Sequence, residues 1–240
     1  MSVDFLIILF VIAALYASVG HGGASGYLAL MGIYGFAPET MKPSALILNL
    51  FVAGISFIQF YRSGNFRWQT LLPFIIASIP MAFLGGMLSI DPVWYKRILG
   101  VLLIFAVLRL LGIFGQVQTH RKIRWALALI IGASIGFFSG LIGIGGGIIL
   151  SPVILLLGWA DMKQTAAISA AFIWINSLAG LMGIYSANSL IVTDMWQYVL
   201  VAVAGGIIGA YLGSFRWNLT ILKWCLSLVL LMASIKLMFI

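Results

Sequence analysis

Long apolar stretches, broken at short intervals by glycine, proline and a few charges, fill this chain. Those at 98–108, 125–142, 198–212 and 224–240, with their neighbours, approach or reach the roughly 20 apolar residues a helix needs to cross a hydrocarbon core. None alternates polar and apolar residues in the manner of a membrane barrel, so the pattern predicts an all-α polytopic membrane protein. Spans are predicted at about 3–18, 44–60, 69–89 and 95–113, and again at 125–141, 165–185, 195–214 and 220–240. Two shorter apolar segments, 24–36 and 147–159, each follow a glycine cluster. At about 1.5 Å per residue such a segment covers about 20 Å, short of a core about 30 Å thick, and is predicted to stop partway across.

The same order of segments appears twice. Gly20-His21-Gly22-Gly23 recurs as Gly143-Ile144-Gly145-Gly146, and Met41-Lys42-Pro43-Ser44-Ala45 recurs as Met162-Lys163-Gln164-Thr165-Ala166. Ser63-Gly64-Asn65 then matches Ser186-Ala187-Asn188, and Trp68-Gln69 matches Trp196-Gln197. The offsets are 123, 121, 123 and 128. Four landmarks in one register indicate a duplicated unit. The chain divides into a first transmembrane repeat at 1–113, a connection at 114–123 and a second repeat at 124–240. The opening run imitates a signal peptide, but Asp4 stands where a basic residue belongs, and the run has a counterpart at 125–142. It is expected to belong to the fold.

Composition sharpens this picture. With 63% hydrophobic and 8% charged residues, the chain lies far outside soluble usage. Its net charge of +8 is spread between apolar runs, so it reports orientation rather than nucleic-acid binding. The basic cluster Arg109, Arg121, Lys122 and Arg124 predicts a cytoplasmic connection. If each glycine turn reverses the chain, Arg62, Arg67, Arg216 and Lys223 fall on that side too; if it merely kinks a span, Arg216 and Lys223 fall outside. The hairpin fits better, relates the halves by inversion and leaves both termini outside the cytoplasm. The alternative is four single spans per half in a parallel repeat. One cysteine, Cys225, excludes an intrachain disulfide.

Irregular backbone at membrane depth survives only where it is buried in protein or lines a polar cavity. Each glycine turn also opens a short helix, whose first N–H groups (around 22–26 and 145–149) lack intrahelical partners and favour an anion. Two such ends would hold a small anion without a buried lysine or arginine, and Ser25 could add a hydroxyl. The regular stripes Gly132, Gly136, Gly140 and Gly205, Gly209, Gly213 instead read as helix packing. The five acidic residues, Asp4, Glu39, Asp91, Asp161 and Asp194, all fall near span ends. His21 is therefore the titratable side chain expected near the centre and the candidate proton carrier. Asn49 and Asn176, inside the third segment of each half, are candidates for ligand contact or for bridging helices. Lys42 and Lys163 read as interface anchors.

The stretches GHGGASGYLALMGI with MKPSALILNLFVAG, and GLIGIGGGIILSPVILLLG with MKQTAAISAAFIWINSLAG, resemble the two signature regions of the TauE/SafE family of sulfite exporters. The resemblance covers nearly the whole chain. It implies a bacterial inner-membrane permease for small anions, mostly sulfur-containing ones such as sulfite or organosulfonates, often exporting them. Carried over by position, it places the substrate site at Gly20, His21, Gly22, Gly23 and Ser25 and at Gly143, Gly145, Gly146 and Gly147, with Asn49 and Asn176 in the helices that follow. The first half departs from the family form, having His21 where Ile144 stands in the second and Ala24 where Gly147 stands.

A secondary transporter with alternating access is the leading expectation; the alternative is an anion channel or uniporter for a small carboxylate or other oxyanion. An intramembrane enzyme is disfavoured, because no central acid pair, cysteine cluster or metal set appears. No cofactor, metal or nucleic acid is expected. The expected partners are the bilayer, a small anion and a coupled proton, and pairing into a homodimer is compatible with the sequence.

Overall fold

The computed structural model describes residues 3–91, 121–187 and 195–215, together with scattered positions in 93–108 and residues 231 and 235. The spans expected at 95–113 and 220–240 lie largely outside the described residues, as do Arg109, Asp194, Arg216, Lys223 and Cys225. The described residues form eight helices and no strand. These are α1 (Val3–Ser18), α2 (Ala24–Ile33), α3 (Pro38–Arg62), α4 (Trp68–Met87), α5 (Trp125–Ile142), α6 (Gly147–Leu156), α7 (Met162–Ser186) and α8 (Trp196–Phe215). Lengths recur in step: α2 and α6 have 10 residues each, α3 and α7 have 25, α4 and α8 have 20. Helices α3, α4, α5, α7 and α8 are long and apolar enough to cross a membrane.

Local chemistry starts the long helices. Asp161 caps α7 by accepting from the Gln164 amide at 2.9 Å, while Gln164 reaches back to the Asp161 amide, a reciprocal capping box. In the first half Ala37 offers no side-chain cap, and α3 opens instead on Pro38, whose fixed φ suits the first helical position. This moves the start of α3 back from the expected 44 to 38, with Pro43 inside the helix.

The glycine clusters reverse the chain. Gly20 (φ +76°) and Gly23 (+96°) in the first turn, and Gly143 (+86°) and Gly146 (+76°) in the second, sit in the left-handed region at equivalent places. An L side chain there costs about 1–2 kcal/mol, which glycine avoids. Helix α2 then runs back along α1. Gly26 lies against Ile12 and Tyr16, while Phe5, at the far end of α1, meets Tyr34 and Phe36 beyond α2 at ring distances of 5.2 and 5.5 Å. In the second hairpin the Arg121 amide donates to the Gly158 carbonyl at 2.7 Å, tying the approach to α5 to the far end of α6. These contacts set aside four single kinked spans per half.

The halves interleave. Helix α5 lies parallel to α4, with Gly132, Gly136 and Gly140 against Phe74, Ser78 and Ala82. Helix α8 lies parallel to α1 in the same manner, with Gly205, Gly209 and Gly213 against Phe10, Ala14 and Ser18. The four-residue spacing puts each glycine stripe on one face, and a Cβ at any of the six would strike a backbone carbonyl opposite. Helices α3 and α7 cross antiparallel between these pairs, bringing Leu46 to Gly180, Asn49 to Ser177 and Gly54 to Trp174. Lys42, expected as an interface anchor, instead closes the end of α4. Its Nζ donates to the carbonyls of Gly85, Gly86 and Leu88 at 3.3, 3.0 and 2.9 Å.

Candidate functional site

Both glycine turns arrive at the crossing of α3 and α7, and Asn49 stands between them. It is fully buried, with Gly22 against its side-chain oxygen and Gly145 against its amide nitrogen. Oδ1 accepts from the amide of Ala24, the first residue of α2, at 3.0 Å, and Nδ2 donates to Ser177 Oγ on α7 at 3.3 Å. One side chain thus caps the short helix of the first half and holds the long helix of the second. Ile173 fills the remaining space, touching Gly22, Gly145 and Gly147. The turns also seat on the opposite halves: Gly20 packs on Ala166 at the start of α7, and Gly143 on Lys42 at the start of α3.

His21 reaches out of its own half. It is 5% exposed, with Nε2 3.2 Å from Ser151 Oγ on α6 and Nδ1 3.0 Å from the Val19 carbonyl. A carbonyl only accepts, so Nδ1 carries a proton. Ser151 Oγ lies 2.9 Å from the Gly147 carbonyl and 2.5 Å from Ser169 Oγ on α7. When the ring is neutral, Nε2 accepts the Ser151 proton. When the ring is protonated, Nε2 donates to Ser151, whose own proton turns to Gly147 or Ser169. Both states find partners without displacing a heavy atom.

Other candidates are placed differently. Ser25 is engaged within its own hairpin, its Oγ 2.7 Å from Tyr16 Oη. Asn176 is fully buried, but its Nδ2 donates one turn back to the Phe172 carbonyl at 2.8 Å, and its Oδ1 has no partner among the described residues. In the register that pairs Met41 with Met162, Asn49 corresponds to Ala170, so the two asparagines do not share a task. Gly23 and Gly146 are the N-caps of α2 and α6 and offer no side-chain cap of their own. The first amides of each of these helices have no acceptor within the helix and lie at the positive end of its dipole, and in α2 that of Ala24 is taken by Asn49. Among the described residues no three His, Cys, Asp or Glu side chains group as a metal site requires.

A family model described as "Sulfite exporter TauE/SafE" matches residues 5–237. The chain belongs to the TauE/SafE family. Its relatives include "Probable membrane transporter protein y4hK" of Sinorhizobium fredii, 38% identical over 242 residues that span 99% of this chain and 98% of the relative. "Probable membrane transporter protein YjnA" of Bacillus subtilis is 24% identical, covering 99% of this chain and 100% of its own. "Probable membrane transporter protein MJ0441" of Methanocaldococcus jannaschii is 28% identical over 77% of this chain and 72% of its own. No solved structure matches. This TauE/SafE member is a multi-pass membrane transporter, and its two glycine hairpins lie within one side chain of each other at the crossing of its long helices.

Proposed function

We propose that this TauE/SafE protein is a secondary transporter that exports a small sulfur-containing anion, sulfite or an organosulfonate, across a bacterial inner membrane by alternating access. The observation that carries this reading is the meeting of both glycine turns on Asn49, which brings two amide-rich helix ends from separate halves to one point. The halves are taken as inverted repeats. In support, each glycine stripe makes the first helix of one half parallel to the fourth of the other, while α3 and α7 run antiparallel. The turns are closed on Asn49 and Ile173, so the halves part to admit the anion, first on one side and then on the other.

His21 is the coupling residue of this reading, since it bridges the halves through Ser151 and is equipped for both protonation states. Sulfite added outside sealed proteoliposomes is expected to change the internal pH, read by a trapped dye, in the wild type. In His21→Ala the pH change is expected to vanish while exchange of sulfite across the membrane continues. A full-sized pH response in His21→Ala contradicts the coupling role.

A further inference from the structure

Tyr27 lies in the first turn of α2 and is fully buried, yet its hydroxyl has no hydrogen-bond partner among the described residues. A buried phenol ordinarily finds one, so a hydroxyl left over inside the protein calls for an explanation. Its surroundings supply one. Helical side chains lean towards the N-terminus, and a Cβ on Gly23, the N-cap of α2, would come 2.6 Å from Tyr27 Oη. The hydroxyl therefore sits at the helix start, beside the turn whose amides lack intrahelical partners. Tyr16, close by, has its own hydroxyl engaged by Ser25 at 2.7 Å, so Tyr27 is the phenol left free to serve something else. In the second half the equivalent position is Leu150, which offers no hydroxyl.

We propose that Tyr27 Oη donates a hydrogen bond to an oxygen of the anion held at the start of α2, making this turn the orienting half of the site. Among the described residues no carboxylate stands there, and the one side-chain acceptor at the turn, Asn49 Oδ1, is taken by the Ala24 amide at 3.0 Å, so the remaining backbone N–H groups and the phenol O–H suit a ligand that presents acceptor oxygens. The inference rests on the anion-transport reading above. It adds the residue that fixes orientation, and it makes the two turns unequal.

Detergent-purified protein titrated with sulfite, sulfate, methanesulfonate or acetate, with melting temperature as the readout, tests it. The wild type is expected to gain stability saturably with at least one of these anions. Tyr27→Phe is expected to melt at or above the wild-type temperature without anion, because an unpartnered hydroxyl is removed, and to bind that anion about tenfold or more weakly. Wild-type affinity in Tyr27→Phe overturns the donor role and leaves the transport reading standing. A lower melting temperature in the absence of anion marks the hydroxyl as structural and also overturns it. Failure of every anion to stabilise the wild type overturns the anion reading and this inference with it.

Discussion

Asn49→Asp is expected to fold and to lose anion transport by about a hundredfold or more, since like charges brought together in a buried site cost several kcal/mol. The substitution keeps the oxygen that accepts from the Ala24 amide at 3.0 Å, and its second oxygen can accept from the Ser177 hydroxyl. It also places a carboxylate between Gly22 and Gly145, on the donors an anion needs. Asn49→Leu acts on the other side of the balance. It removes both hydrogen bonds and leaves the Ala24 amide buried and unpaired, so it is expected to lower stability by about 1–3 kcal/mol. Proteoliposome uptake and thermal unfolding of the two variants separate charge from support. Wild-type uptake by Asn49→Asp contradicts an anion site at the two turns.

Gly140→Leu on the α4–α5 seam and Gly209→Leu on the α1–α8 seam are expected to yield little or no monodisperse protein. A Cβ at Gly140 strikes the Ala82 carbonyl and crowds the Gly86 amide, and one at Gly209 strikes the Ala14 backbone. Backbone cannot rotate away as a side chain can, so the cost lies at or beyond the upper end of ordinary overpacking, about 3 kcal/mol. Ile130→Leu, on the outer face of α5 at 65% exposure, is the control and should melt like the wild type. Size-exclusion profiles and melting curves of the three variants check this. Well-folded Gly140→Leu contradicts the close contact of these helices.

The sequence disclosed the hairpins because two physical signals coincide there. Glycines occur where the chain needs left-handed backbone, and the apolar segment that follows is too short to span. Asn49 was legible as a polar group inside an apolar run, a placement that requires a partner. Its partners were not, because hydropathy carries no register between one helix and another. The same gap hid Ser151, which gives no sign in the sequence of facing His21, and Tyr27, whose hydroxyl looks like any aromatic in a core. Asn176 shows the converse error of reading by order: it follows its turn as Asn49 does, yet lies further along its helix and bonds its own backbone. Lys42 reads as an anchor in the sequence because a charge at a span edge usually meets water, whereas carbonyls at the end of α4 receive it. The short segment expected to 36 ends at Ile33, since Tyr34 and Phe36 are apolar without being helical and Gly35, at φ +75°, turns the chain.

Counterflow in sealed proteoliposomes tests the central claim most directly. Vesicles loaded with unlabelled sulfite and diluted into a trace of labelled sulfite should accumulate label transiently above equilibrium, because a carrier returns loaded faster than empty, and Asn49→Asp should abolish that overshoot. Label that merely equilibrates, or enters no faster than in protein-free vesicles, for sulfite and for an alkanesulfonate alike, would contradict a carrier built on the two glycine turns.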